Sequence, residues 1–156
     1  MLRLDRRQVL HFNVTTHPTA EWTARQIVEA VAEEALPRFL VRDRDKVYGE
    51  RFRRVTEVLR IEEVITAARS PWQNAYAERL IGSLQRECLD YVIVLDERHL
   101  VRILGEYFQY YNASRCHLSL AGDSPRGRTI HRPEQGRVIA FPEVGGIHHR
   151  YERAAA

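Results

Sequence analysis

The most informative stretch of this sequence is residues 70–79, which read Ser-Pro-Trp-Gln-Asn-Ala-Tyr-Ala-Glu-Arg. Ser70 suits the N-cap of a helix and Pro71 suits the first helical position, so a long helix is predicted to begin here. Glu78 lies two turns into that helix. Apolar residues recur at helical spacing and predict its buried face, namely Ala77, Leu80, Ile81, Leu84 and Cys88.

Towards the N-terminus, strands and helices are predicted to alternate. The expected elements are a strand at 8–15, a helix from Thr19 to Pro37, a buried strand at 38–42, a helix at 50–60 and a strand at 61–65. Leu2 and Leu4 form the stub of a partner strand before a turn at residues 5–7. The side chains expected to be buried on the two helices are Trp22, Ile27, Val28 and Val31 on the first, and Phe52, Val55 and Leu59 on the second.

The helix from Ser70 and a further helix at about 96–112 complete this order, which predicts an α/β fold with at least partly parallel strands. Ligands of such sheets bind at the carboxyl ends of the strands. Asp43 follows directly on the strand at 38–42 and is therefore expected at that edge.

Asp43 and Glu78, with 34 residues between them, are the candidate ligands of a metal ion. Mg²⁺ takes one or two carboxylates together with waters and substrate phosphates. Two such ions clamp the attacking and leaving oxygens of an in-line phosphoryl transfer. The spacing alone also fits solvated surface acids, and Asp45, on the same side of the chain as Asp43, is an alternative ligand.

Three motifs together resemble the catalytic core of retroviral-type integrases and of the Asp-Asp-Glu transposases of insertion sequences. In that family an Asp-Arg stretch closes one strand, as in residues 42–48, and a helix opening with Ser/Gly-Pro-x-x-Asn-Ala carries the last acid, as in residues 70–79. The third match is Tyr110-Tyr111-Asn112-x-x-Arg115-x-His117-x-x-Leu120 followed by Pro125. The three motifs occur in the family's order over residues 9–125.

The resemblance implies a ribonuclease-H-like fold of three layers and metal-dependent cleavage and transfer of DNA strands. It implies that Asp43 and Glu78 are catalytic and bind Mg²⁺ or Mn²⁺, with no other cofactor. The residues implied for contact with DNA are Arg44, Asn74, Arg79 and Arg86. Support of the first helical turn is the alternative role for Asn74, and solvated surface is the alternative for Arg79 and Arg86. Gly82 stands where related transposases often have a lysine.

The first acid of the family's triad lies on a strand before the one expected at 8–15, and this sequence begins after that point. Asp5 is predicted to belong to a turn instead. The expected fold is therefore an integrase core that lacks its first strand. Two functions are carried forward: DNA transposition or integration, and a non-catalytic DNA-binding or oligomerising remnant of a transposase. The expected partners are DNA and a second copy or an intact transposase chain.

The aromatic helix of the third motif is predicted to be core, because Tyr107, Phe108, Tyr110 and Tyr111 recur at helical spacing. His117 is expected to pack or to hydrogen bond to the following turn. Glu87 and Asp90, late in the long helix, are predicted to be surface acids.

Composition limits the remaining possibilities. The 156 residues are 44% hydrophobic and 29% charged, and their net charge of +3 comes almost wholly from arginine, whose planar fork suits phosphate. A membrane span and a secretory signal are not expected. Two cysteines suit the reducing cytoplasm. The expected domains are a partial core at 1–125 and a basic extension at 126–156, with a hairpin at about 138–147 that turns at Gly145 and Gly146.

Overall fold

The computed structural model describes residues 1–32 and 36–154 and has a mixed α/β architecture, as predicted. Within these ranges it holds four α-helices and three two-stranded sheets. The helices are α1 (Ala20–Ala32), α2 (Glu50–Val58), α3 (Ala75–Glu87) and α4 (Glu97–Ala113). The strands are β1 (Leu2–Arg3), β2 (Gln8–Val9), β3 (Phe39–Arg42), β4 (Glu62–Ile65), β5 (Arg137–Glu143) and β6 (His148–Ala154).

The chain divides into two compact units that do not follow the order of the sequence. The first unit consists of Met1–Leu2 and Leu10–Ile81, and the second consists of Arg3–Val9 and the chain from Gly82 onward. The predicted domain boundary at residue 125 stays a prediction. The last two residues of the predicted extension, 155 and 156, lie outside the described residues.

The first unit contains the parallel pair β3–β4, which confirms the predicted parallel strands. Val41 lies opposite Val64 and Arg42 lies opposite Ile65. The core beneath them is formed by Ala24, Ile27, Phe52 and Ile61, with Leu40, Val55 and Leu59 among the partly buried residues packed against it. The sequence wrongly predicts β3 to be fully buried, because Phe39 is 47% exposed. Among the described residues this sheet has two strands.

Helix α1 begins as predicted, because the Thr19 hydroxyl accepts a hydrogen bond from the Trp22 backbone N–H at 3.1 Å. Its buried residues are Ala24, Gln26, Ile27 and Ala30. The prediction was wrong for Val28, which is 48% exposed. The small residues Ala24 and Ala30 lie on the buried side instead. The predicted continuation to Pro37 crosses residues 33–35, which lie outside the described residues.

The strand predicted at residues 8–15 is confined to β2, and residues 10–15 are not in a strand. The predicted stub and turn are present, as β1 and a turn at residues 4–7. Beyond β2, His11 and Asn13 hydrogen bond to Oε1 of Gln26 at 2.8 and 2.9 Å. These side-chain contacts with a helix take the place of strand pairing in this segment.

Helix α3 begins one turn later than predicted, because Pro71–Asn74 form a 3₁₀ turn before it. Ser70 makes no side-chain capping bond there, so its predicted capping role is wrong. The predicted apolar face is wrong at Ile81, whereas Ala77, Leu80 and Leu84 are half-buried. Ile81 is 59% exposed, and the buried residue within the helix is Ser83, while Cys88 directly after it is fully buried.

The second unit is built on α4, whose N-cap Asp96 accepts a hydrogen bond from the His99 backbone N–H at 2.7 Å. Tyr107, Phe108 and Tyr111 are buried on this helix, which confirms their prediction as core residues. The predicted hairpin is confirmed and is longer than expected: β5 and β6 are antiparallel over seven residues each. Its turn needs Gly145 and Gly146, whose φ angles are 63° and 91°.

No helix within the described part of the chain combines the length and the apolar character that a membrane crossing requires.

Candidate functional site

Asp43 is the first residue after β3 and its side chain is exposed. Its Oδ1 accepts a hydrogen bond from the Asp45 backbone N–H at 3.1 Å, and Asp45 Oδ1 accepts one from the Val47 backbone N–H at 3.0 Å. Both aspartates therefore brace the same turn with one carboxylate oxygen and leave the other oxygen open. The preference for Asp43 over Asp45 as the metal ligand stays a prediction.

Arg42 is a buried residue that the sequence analysis did not identify. It is 7% exposed, its Nε donates to Glu63 at 2.5 Å, and its Nη1 donates to the Asp43 carbonyl at 2.9 Å. The guanidinium also lies 5.0 Å from the ring centroid of Tyr48 and 5.8 Å from that of Phe52. The one local signal for this role was the alternation of arginine and aspartate in residues 42–45. These contacts hold the end of β3, and with it the backbone of Asp43, in one place.

Hydrogen bonds join the end of β3 to the segment that leads into α3. Arg44 Nε donates to the Thr66 carbonyl at 3.0 Å, and the Thr66 backbone N–H donates to the Arg42 carbonyl at 2.9 Å. Directly after Thr66, the Ala67 backbone N–H donates to Oε1 of Gln73 at 2.6 Å. Gln73 lies in the 3₁₀ turn before α3. The carboxyl edge of the parallel pair thus connects the Asp43 turn with the start of the helix that carries Glu78.

Glu78 is exposed in the first turn of α3, where the helix dipole favours a negative charge. Asn74 is half-buried and lies one turn earlier, and Arg79 is exposed beside it. Within the described residues, none of these three side chains has a hydrogen-bond or ion-pair partner. The polar end of α3 is therefore open to a ligand.

The donor chemistry of Asp43 and Glu78 fits Mg²⁺ or Mn²⁺. Both are exposed carboxylates that are not paired with a basic side chain anywhere in the described ranges, and hard oxygen donors are what Mg²⁺ prefers. Over those same residues, no cluster of three or more His, Cys, Asp or Glu side chains is placed to hold a metal ion. The role of the two carboxylates as metal ligands stays a prediction.

Arg86 belongs to the second unit and folds back over Gly82. A β-carbon built on Gly82 would lie 3.0 Å from Arg86 Nη1. The guanidinium therefore fills the space beside the glycine that stands where relatives often carry a lysine. Its role in DNA contact stays a prediction.

In the third motif, Asn112, His117 and Pro125 are buried and stabilise the fold. Asn112 is buried and hydrogen bonds to both backbone groups of Val9. His117 is 7% exposed and packs edge-on against Tyr111 at 4.7 Å, which confirms its predicted packing role. Burial and the charge of Arg115 lower the pKa of His117, so the ring is neutral at physiological pH. Pro125 is fully buried.

Glu87 is the half-buried partner of this motif, and its prediction as a surface acid was wrong because it is paired with Arg115. Arg115 donates to both of its carboxylate oxygens, at 2.7 and 2.5 Å, and the Tyr107 hydroxyl donates at 3.1 Å. Burial raises the pKa of Glu87, but the hydrogen bond and charge of Arg115 outweigh it, so the net pKa is lowered. The pKa of Tyr107 is raised by burial and by Glu87.

Arg6 fixes the other end of the motif. It donates to Asp123 Oδ2 at 2.9 Å, to the Ser124 carbonyl at 2.8 Å and to the Pro125 carbonyl at 2.8 Å. Asp5, next to it, lies in the turn at residues 4–7 and pairs with Arg3 at 3.2 Å, as expected of a turn residue.

Comparison with known proteins supports the reading of the motifs. Residues 59–125 match the integrase core domain family. The InsD protein of insertion element IS2E from Escherichia coli strain K12 is 27% identical over an alignment that covers 77% of this chain and 59% of that protein. The transposase InsD of insertion element IS2A/D/F/H/I/K from Escherichia coli is 27% identical over 77% of this chain and 42% of its own length.

This chain spans between 42% and 59% of the length of these curated relatives. The family match begins within the first unit, before the helix of Glu78, and ends at Pro125, so it takes in the second and third motifs. The match over residues 59–125 and the similarity to these transposases support a relationship to the catalytic cores of transposases and integrases.

Proposed function

We propose that this chain cuts and joins DNA strands by metal-dependent phosphodiester chemistry, with Asp43 and Glu78 as its catalytic carboxylates. The observation that carries this proposal is the hydrogen-bonded connection at the carboxyl edge of β3–β4. There, Arg44 binds the Thr66 carbonyl and the next residue, Ala67, binds Gln73 at the entry to α3. Carboxyl edges of parallel strands are where ligands bind in α/β folds.

Asp43 and Glu78 would hold Mg²⁺ or Mn²⁺, and waters and substrate phosphate oxygens would supply the remaining ligands. When bound, such ions neutralise charge on the reacting phosphate and activate the attacking water or 3′-hydroxyl. The contribution of the protein is to place the two carboxylates. Arg42 and the two aspartate turns fix the backbone of Asp43, and the first turn of α3 fixes that of Glu78.

Arg44, Asn74, Arg79 and Arg86 are the proposed contacts with DNA. Asn74, in the 3₁₀ turn before α3, and Arg79, next to Glu78 on α3, have no partner among the described residues, which leaves their donors available for phosphate oxygens. Arg44 uses its Nε for the Thr66 carbonyl and keeps its terminal nitrogens for a ligand. Binding through such contacts should weaken steeply as salt is added.

The proposal includes a ribonuclease-H-like arrangement in three layers and association with a second copy or with an intact transposase chain. The parallel pair β3–β4 and the family match support the fold. A cytoplasmic location is part of the proposal, and it is supported by two cysteines that are both free, Cys88 and Cys116.

The test is nicking of supercoiled plasmid DNA by the purified chain with Mg²⁺ or Mn²⁺, and with chelator. Wild type is compared with Asp43→Asn and Glu78→Gln, and with Asp45→Asn to separate the two neighbouring aspartates. Asp90→Asn is the matched control, since Asp90 is an exposed acid in the second unit. Circular dichroism first establishes that all variants are folded.

We expect nicking that requires metal, falls at least a hundredfold in Asp43→Asn and Glu78→Gln, and is retained in Asp90→Asn. Nicking that survives either of the first two substitutions contradicts the assignment. A folded chain that binds DNA at low salt and does not nick it supports the alternative, a non-catalytic DNA-binding or oligomerising protein.

A further inference from the structure

The hairpin β5–β6 has two faces of different character. Side chains alternate between them, and the strand register places Arg137, Ile139, Phe141 and Glu143 on one face with His148, Arg150, Glu152 and Ala154. We call this the inner face. The outer face consists of Val138, Ala140, Pro142, His149, Tyr151 and Arg153. All outer-face residues except the half-buried Arg153 are exposed.

Most polar groups of the inner face are paired, and Oε2 of Glu143 is buried without a hydrogen-bond partner among the described residues. His148 stacks on Tyr110 with ring centroids 4.3 Å apart and contacts the Glu87 carbonyl at 2.8 Å. Arg150 pairs with Glu143 at 3.6 Å and also with Glu152, so both carboxylates of the hairpin are on this face and next to an arginine.

The outer face is different, because its aromatic rings are uncovered. His149 and Tyr151 are two residues apart on β6, and their ring centroids are 6.3 Å apart. The residues opposite them, Pro142 and Ala140, are too small to cover the rings. Tyr151 is 66% exposed as a result. Rings that stand off a sheet at this spacing present flat apolar surfaces on which unpaired bases stack.

Charge on the outer face is of one sign. It carries Arg153 and no carboxylate, and Arg153 spends one terminal nitrogen on the Gly136 carbonyl at 2.9 Å. Arg132 and Arg137, exposed before and at the start of β5, have no acidic partner within the described residues. An uncovered aromatic pair beside Arg153, on a face that carries no carboxylate, complements a polyanion that carries bases.

We propose that the outer face of this hairpin binds single-stranded DNA. Bases stack on Tyr151 and His149, while Arg153 contacts the phosphates. The inference rests on the proposed function for its choice of DNA, and it names a contact surface that lies outside the stretch matched by the family, residues 59–125. It needs neither Asp43 nor Glu78.

The test measures fluorescence anisotropy of a labelled mixed-sequence 20-nucleotide strand, and of its duplex, titrated with the whole chain. Tyr151→Ala should weaken single-strand binding about tenfold, because a stacked base is lost, while Tyr151→Phe should stay within about twofold of wild type. Tyr91→Ala is the matched control, since Tyr91 is 69% exposed and lies elsewhere in the second unit. Thermal melting checks that each variant is folded.

The proposal is overturned if Tyr151→Ala binds the strand as well as Tyr91→Ala, if Tyr151→Phe loses as much affinity as Tyr151→Ala, or if wild type prefers the duplex. Nicking of plasmid is measured on the same preparations. Absence of nicking with intact single-strand binding counts against the proposed function alone, and nicking without a Tyr151 effect counts against the hairpin alone.

Discussion

The side-chain amide of Asn112 replaces a strand partner for Val9, which precedes it by 103 residues. Asn112 Oδ1 accepts from the Val9 backbone N–H at 2.9 Å, and its Nδ2 donates to the Val9 carbonyl at 2.8 Å. An amide side chain has the same donor and acceptor pair as a peptide group. The end of β2 is thereby held against α4 although both of its polar groups are buried.

Asn112→Asp should destabilise the protein by about 2–4 kcal/mol, because it keeps the acceptor for the Val9 N–H but places a second acceptor against the Val9 carbonyl. Asn112→Ala should cost a similar amount by leaving both groups unpaired. Urea unfolding at pH 7 measures the free energy of unfolding. Gln109→Ala on the exposed side of α4 is the control, and a loss no larger than its own would show that the clamp contributes nothing.

Glu87→Gln should make the protein less sensitive to acid. The folded pKa of Glu87 lies below its ordinary value of 4.5, so its stabilisation is complete above that pH and is lost as the pH falls through the folded pKa. We expect a loss of about 2 kcal/mol at pH 7 that shrinks as the pH falls below 4.5. The midpoints of urea unfolding, compared between Glu87→Gln and wild type from pH 7 to pH 3, measure this loss of stability.

The control for this profile is Glu134→Gln, which changes an exposed acid of the same unit. The difference in stability between Glu134→Gln and wild type should be the same at every pH. A gap between Glu87→Gln and wild type that stays constant down to pH 3 would show that the lowered pKa of Glu87 does not contribute to stability.

Arg42→Met should destabilise the protein by about 3–5 kcal/mol, because Glu63, with 13% of its side chain exposed, is left charged without its partner. The double variant Arg42→Met with Glu63→Leu should recover most of that loss, since it removes both charges and fills the space with apolar atoms. Unfolding of the two single variants and the double variant completes the cycle. Simple additivity of the two losses would mean that the pair is not coupled.

Gly82→Ala should stabilise α3 by about 0.5–1 kcal/mol, because glycine is unfavourable inside a helix. The new β-carbon meets the far end of the flexible Arg86 side chain, which is free to swing away. Gly49→Ala is the contrasting variant, since its β-carbon would lie 3.1 Å from the Ala20 β-carbon, which has no such freedom. The melting temperature of Gly82→Ala should be higher than that of wild type, and the melting temperature of Gly49→Ala should be equal to or lower than that of wild type.

The alternation of strands and helices was predictable because apolar periodicity and turn residues are local signals. Thr19 capped α1 as expected, and the glycine pair turned the hairpin as expected. The prediction failed for residues whose burial depends on distant parts of the chain. Ile81 has the spacing of a core residue and is 59% exposed, whereas the polar Ser83 is buried on the same helix.

The site was predictable in part for the same reason. Asp43 and Glu78 stand out by position and motif, but Arg42 and Glu87 do not, because their roles come from partners 21 and 28 residues away. A charged residue that is buried by a distant partner has the same local pattern as one in water. The third motif illustrates this, since Asn112 and Arg115 hold the fold together through Val9 and Glu87.

The division of the chain also has a consequence for the order of events during synthesis. The first unit ends at Ile81, so its last residue is translated before most of the second unit. The acceptors of Arg6 at Asp123, Ser124 and Pro125 follow it by 117 to 119 residues. The second unit therefore closes only after these residues have been made, and until then Arg6 lacks these acceptors on the nascent chain.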